Sequence, residues 1–158
     1  MPEQTQYLTT DGFRELEARL DYLRTVRRAE VAARLHQALE EGGELVENAE
    51  YEDAKNEQAF VEGDILRLET LLSSAHLIEN ATGKKEIVNL GDTVTLKEKG
   101  QKKTEVFRLV GAAEADPRDG RVSNESPMGR ALVGHKVGDM VTVHAPSGDI
   151  DFEIKKIQ

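Results

Sequence analysis

Residues 48–75 read NAEYEDAKNEQAFVEGDILRLETLLSSA, and their spacing decides the fold. Tyr51, Ala54, Gln58, Val61, Ile65, Leu68, Leu72 and Ala75 alternate three and four residues apart, with Gln58 the one polar member. Apolar residues at that period form a stripe along a helix, the heptad seam by which one helix wraps another. Asn48 is placed to cap this helix, and Glu50 suits the positive end of its dipole. From Asn48 to Ala75 it would be roughly 42 Å long at 1.5 Å per residue.

Upstream, Leu8-Thr9-Thr10-Asp11-Gly12-Phe13 reads as another helix start. Thr9 is the cap, Asp11 faces the positive end, and Leu8 and Phe13 are spaced for a hydrophobic staple. Apolar residues follow at Phe13, Leu16, Leu20 and Leu23, break at Arg27-Arg28, and resume at Val31, Leu35 and Ala38. Gly42-Gly43 ends the helix just past Glu41. Neither helix is stable alone in water, and the link between them is short. They are therefore expected to pack antiparallel as a hairpin, a slender rod with no interior beyond its seam.

Beyond Gly83 the period shortens to that of strands. Thr93 to Leu96, Glu105 to Val110, Met140 to His144 and Ile150 to Lys155 are strand candidates, the last entered through a turn at Pro146-Ser147-Gly148-Asp149. Ser126-Pro127 opens a short helix that Gly134 closes. The expected fold is α+β: a helical hairpin over residues 1–79, with its tip at 42–50, then a mainly antiparallel β domain with one short helix over 80–158.

Composition narrows the function. The 158 residues include 32% charged and 4% aromatic residues and no Cys or Trp, so disulfides, thiolate nucleophiles and Cys-ligated metals are out. The longest apolar stretch, Leu109 to Ala113, is far short of a membrane helix. Met1-Pro2-Glu3-Gln4 lacks the basic and apolar regions of a secretory signal, and a cytoplasmic location is expected. The net charge of -9 argues against binding nucleic acid by phosphate contacts alone. That charge is uneven. Residues 1–79 hold 8 basic and 18 acidic side chains. Within them, Arg14 to Arg34 carries six arginines against four acids, whereas Glu40 to Asp53 carries seven acids and no base.

The all-acidic run falls at the turn between the helices. Carboxylates gathered at one convex end repel, and stability alone favours mixed charge there. Glu44 and Glu47, three apart, can converge in a turn-like segment. A converging pair can act as a general acid and base or hold a hard cation. A convex tip has no walls to exclude water, which disfavours a self-contained enzyme. Mg²⁺ fits better, since it often takes only one or two protein carboxylates and fills its other positions with water and phosphate oxygens. Those further ligands would come from another macromolecule.

Gly43-Glu44-Leu45-Val46-Glu47-Asn48-Ala49-Glu50-Tyr51 resembles the tip signature G-D-L-x-E-N-A-E-Y of the bacterial GreA/GreB transcript cleavage factors. The likeness extends over the whole chain: Leu8-Thr9 with Gly12, Leu16 and Leu20; Tyr22-Leu23 with Val26-Arg27-Arg28; Ser126-Pro127-x-Gly129-x-Ala131-Leu132-x-Gly134; Gly138-Asp139; and Pro146-x-Gly148. Leu45 and Ala49-Glu50 are similar to the GreA branch. The resemblance implies a bacterial RNA polymerase partner. An FKBP-like C-terminal domain would dock at the rim of the polymerase's secondary channel, with the coiled coil inside it. Tip acids Glu44 and Glu47 would help hold a Mg²⁺ shared with the polymerase, and only in the complex. The polymerase would then hydrolyse the extruded nascent RNA 3′ end. Gly43, Asn48, Glu50 and Tyr51 would shape the tip, Arg34 and Lys55 would contact RNA, and Ser126, Pro127 and Gly129 would lie at the docking surface. The factor itself would be a monomer and no enzyme. Two departures stand out. Glu44 replaces the usual Asp, and Glu40 and Gly42 stand where members often carry Arg and His, which implies weaker RNA retention.

Plainer readings apply elsewhere. Arg27-Arg28 is as well read as a solvated face as a contact for nucleic acid or polymerase. His36, His76, His135 and His144 lack ligand spacing. Ser126 is a helix cap rather than a nucleophile. After residue 80 only Phe107 and Phe152 are aromatic, too few to line a prolyl isomerase pocket. Two rival functions remain open: a channel binder with an altered, non-cleaving tip, and an FKBP-like chaperone with a dimerising coiled coil.

Overall fold

The computed structural model describes residues 5–42, 48–79 and 85–158. They form two compact units, one of Phe13–Ser74 and one of Met1–Gly12 with Ala75–Gln158. The division expected at residue 80 is thus drawn differently. Tyr7–Thr9 (β1) pairs in parallel with His76–Ile78 (β2), with Leu8 opposite Leu77, so both ends of the hairpin segment are held in the globular unit. Three-residue strands have no alternation to betray them, and their partner lies across the whole hairpin. Leu8, read as half of a staple, is the fully buried middle residue of β1. Thr9 does cap: its Oγ1 accepts the Gly12 N–H at 3.1 Å.

In the hairpin unit, Thr10–Tyr22 (α1) and Arg28–Gly42 (α2) are joined without a break by a π-helical turn, Leu23–Arg27. The sequence explains the turn. Apolar spacing alternates three and four as far as Leu23, but Val31 falls one residue late for that rhythm. A π-turn takes up one extra residue and returns Val31 and Ala38 to the seam. The returning arm is Ala49–Ser74 (α3), 26 residues and thus about 39 Å long. Leu20, Leu23, Val31, Val61, Ile65 and Leu68 form the buried seam, with Leu16 and Leu72 at one end.

The expected seam member Gln58 is exposed, and Glu57 turns inward instead. Spacing 54-57-61 is as good a heptad as 54-58-61. Arginines on the facing arm favour the acid: Glu57 is gripped by Arg27 and by Arg34, the latter at 2.5 Å. A polar layer therefore interrupts the apolar seam.

In the globular unit the expected strands form, as Thr93–Glu98 (β3), Thr104–Val110 (β4), Met140–Ala145 (β6) and Gly148–Ile157 (β7). Arg121–Ser123 (β5), too short to show in the sequence, adds an edge. The sheet order is β5-β4-β3-β7-β6, antiparallel except for β4 with β5. Alternation puts Val94, Leu96, Val141, Val143, Phe152 and Ile154 on one buried face, and Leu132 of the short helix Pro127–Leu132 (α4) joins that core. The expected mainly antiparallel sheet with one short helix is therefore what forms.

Candidate functional site

The acidic tip is flanked by the end of α2 at Gly42 and the start of α3 at Ala49. Gly43, Glu44, Leu45, Val46 and Glu47, including both expected metal ligands, lie outside the described residues. Their C-terminal flank is tightly built. Asn48 Oδ1 accepts the Tyr51 N–H at 3.1 Å, the expected cap. Its Nδ2 also donates to the Ala38 carbonyl on the opposite arm at 3.0 Å, a link the sequence did not suggest. Gly42 makes room for it, since a Cβ there would fall 2.3 Å from Asn48 Nδ2. Asn48 thus starts one helix while clasping the last turn of the other.

Other expected tip residues sit close by. The Lys55 ammonium lies 5.1 Å from the centre of the Tyr51 ring, a cation–π contact on an exposed face. Glu50, in the first turn of α3, is 3.4 Å from Arg34. Arg34 itself is held chiefly by Glu57, so this RNA-contact candidate already serves the hairpin.

The uneven charge now has a structural meaning. Arginines of the first arm face acids of the second: Arg24 with Glu69, Arg27 and Arg34 with Glu57, and Arg28 with Glu62. The last pair is bidentate, at 2.7 and 2.8 Å. Its hydrogen bonds pull the Glu62 carboxyl below its ordinary range and push Arg28 above its own. Exposed pairs like this one each add little, but together they favour one register of the arms over its neighbours. Arg27-Arg28 thus takes part in packing the arms together.

Among the described residues no group of three or more His, Asp or Glu side chains could hold a metal ion. His135 and His144 sit beside Asp139 and Asp149 on the surface. The Asp139 carboxyl is lowered chiefly by the Lys136 backbone N–H, with His135 assisting. Phe152 is in the sheet core, and Phe107 packs against it half-buried.

The docking candidates have clear local roles. Ser126 Oγ accepts the Gly129 N–H at 3.1 Å and donates to the Ser123 carbonyl at 2.6 Å. Pro127 opens α4, and Gly129 is buried where a Cβ would lie 2.0 Å from the Ser123 carbonyl oxygen. The motif is therefore a compact corner, with Pro127 its exposed point.

Known proteins match along the whole length. The N-terminal transcription elongation factor model covers residues 6–77, and the GreA/GreB C-terminal model covers 83–158. Transcription elongation factor GreA of Thermoanaerobacter pseudethanolicus is 46% identical over 151 residues, 96% of each chain. This chain belongs to the GreA/GreB family of transcription elongation factors. GreA of Clostridium novyi is similar too, 43% identical over 159 residues, covering 100% of this chain and 99% of its own. Among solved structures, GreA factor homolog 1 (Gfh1) of Thermus thermophilus is 32% identical, covering 98% of this chain and 99% of its own, with a TM-score of 0.44. No helix among the described residues is long and apolar enough to cross a membrane.

Proposed function

We propose that this chain binds bacterial RNA polymerase through its secondary channel and stimulates cleavage of the nascent RNA 3′ end in backtracked or arrested complexes, so that elongation resumes. The observation that carries this reading is the family tip signature, set between the two arms of an antiparallel hairpin in a chain that matches GreA proteins over its full length. The hydrolytic site belongs to the polymerase, and this protein assists it as a cytoplasmic monomer. Glu44 and Glu47 supply hard oxygen donors of the kind Mg²⁺ prefers, and two carboxylates are a usual protein share for that ion. They would hold it jointly with the polymerase, where it supplies charge neutralisation and a more acidic water. Asn48 would keep the arms together behind these acids, Glu50 and Tyr51 would complete the tip's shape, and Gly43 would let the backbone turn. Lys55 is the accessible cation beside the tip. With Arg34 engaged by Glu57, retention of the extruded RNA would be weak. The α4 corner around Ser126, Pro127 and Gly129 is the proposed docking face.

A second reading, a channel binder that does not cleave, draws on Glu44, one methylene longer than the usual Asp. One assay decides between them. Backtracked elongation complexes with labelled RNA are mixed with Mg²⁺ and either the native protein or Glu47→Ala. The native protein should release a short 3′ fragment and the variant should not. Slowed synthesis without a fragment would favour the non-cleaving reading. No effect from the native protein would overturn both.

A further inference from the structure

Strands β3 and β4 are joined by a turn that concentrates positive charge. Lys97, Lys99, Lys102 and Lys103 fall within seven residues, with Glu98 and Glu105 the nearest acids in the chain. The turn is firmly built. The Gln101 N–H donates to the Glu98 carbonyl at 3.0 Å, and Gly100 takes φ +87, a backbone that other residues rarely adopt. The Lys99 N–H donates to the Asp151 carbonyl of β7 at 2.9 Å, which ties the turn to the next strand. Pleating then sorts the charges. Glu105 stands opposite Leu96, so Glu98 and Glu105 share the face that Leu96 buries, while Lys97, opposite Thr104, lies on the other face. Lys156, level with Thr95, and Arg108, level with Thr93, continue that second face. Its acids are engaged: Glu153, opposite Lys97, pairs with Lys155 at 2.8 Å, Asp11 lies 3.8 Å from Arg108, and Asp151 accepts the Thr142 hydroxyl at 2.7 Å. Lys99, Lys102 and Lys103 are exposed, and among the described residues none of the four lysines has a side-chain hydrogen bond or ion pair. The arginines facing α3 differ, since Arg24, Arg27, Arg28 and Arg34 are each held by an acid.

We propose that this turn is a contact for the phosphate backbone of duplex DNA, made by the globular unit and independent of the RNA contacts proposed on the hairpin. Lysine is a compact point charge on a flexible stem, and three on one anchored turn can meet a row of phosphates without reading bases. A protein partner fits less well. Protein interfaces are poor in Lys and centre on aromatic or apolar anchors, whereas residues 99–105 carry no apolar side chain. Single strands call for aromatic rings on which bases stack, and the turn has none. A transcription elongation factor acts where duplex template is present, which makes DNA the source of the phosphates. The net charge of -9 opposes any wider contact, so the affinity is low, confined to the turn and steeply dependent on salt.

The test is fluorescence anisotropy of the full chain with a labelled DNA duplex of about 20 base pairs and no polymerase, so its failure leaves the cleavage reading standing. Binding should be measurable at about 50 mM salt. Three phosphate contacts give a salt slope of about -2.7, so tripling the salt should weaken binding about 20-fold. Lys99→Ala, Lys102→Ala and Lys103→Ala should each flatten the slope by about 0.9, leaving a loss of about seven-fold over the same range. All three together should leave no measurable binding. Lys99→Arg, which keeps the charge, should bind like the native protein. Lys136→Ala is the control, since it removes an exposed lysine from the segment bridged to Ile87 and should change nothing. The proposal is overturned if the native protein fails to bind at about 50 mM salt, or if the slope is unmoved in the three alanine variants. An equal flattening in Lys136→Ala would also overturn it, as would tighter binding to a single strand or to duplex RNA of the same length. Poly-glutamate that displaces the duplex as well as unlabelled duplex does, at equal charge concentration, would assign the turn to an acidic protein surface instead.

Discussion

Among the described residues, replacing Asn48 by Ala removes two interactions that meet in one side chain. The Tyr51 N–H loses its cap, and the Ala38 carbonyl loses its donor from across the hairpin. Losing an N-cap costs about 1 kcal/mol, and losing one net hydrogen bond about another 1 kcal/mol. Local opening of the first turn of α3 should therefore become easier by about 2 kcal/mol. At 1.4 kcal/mol per factor of ten, the Tyr51 amide should exchange about 30-fold faster with solvent. Asn48→Asp keeps the cap and loses only the donor, so about five-fold is expected. Gly42 supplies a cross-check. Gly42→Ala should displace the Asn48 side chain and speed Tyr51 exchange in the native background. In the Asn48→Ala background that conflict is gone, and Ala should stabilise the end of α2 by up to about 1 kcal/mol. Exchange measured by NMR on the native protein and these four variants tests the scheme. An unchanged Tyr51 rate in Asn48→Ala, or the same effect of Gly42→Ala in both backgrounds, would refute it.

Leu68→Ala truncates a seam residue that is 7% exposed and should cost about 2–5 kcal/mol in the denaturant-induced unfolding of the hairpin. A double-mutant cycle on Arg27 and Glu57 should return a larger coupling than one on Arg28 and Glu62. The Glu57 side chain is 23% exposed, whereas both members of the other pair are nearly half exposed and should couple only weakly. Equal couplings would show that Glu57 gains nothing from its inward place. By NMR titration the Glu62 carboxyl should ionise below the ordinary glutamate range, and Arg28→Ala should return it there. Because the folded value is the lower one, this pair favours folding above the ordinary glutamate range and ceases to as pH falls through the lowered value.

Legibility followed the range over which each signal acts. Heptad spacing apart from Gln58, caps at Thr9 and Asn48, and the Ser126-Pro127 helix start are local patterns, and each forms as read. Gln58 was misplaced in the seam because two heptad phases fit the same apolar neighbours, and only the arginines of the other arm choose Glu57. The π-turn was visible as one late apolar residue, though a break at Arg27-Arg28 described it equally well. Strands β1 and β2 join residues so far apart that no local pattern marks them. At the tip, Asn48 was legible as a cap, while its bond to Ala38 needed the second arm in place.

The parallel pairing of β1 with β2 sets Thr9 and Ile78 side by side, at the roughly 4.8 Å spacing of neighbouring strands. Everything between them therefore enters and leaves the sheet-bearing unit through one gateway. Whole heptads could be removed from both arms together, or a foreign helical pair grafted in, without either end having to find a new anchorage. Stalk length thereby becomes an adjustable dimension, and a series of shortened and lengthened cassettes would serve as a ruler for the reach that the proposed cleavage function demands.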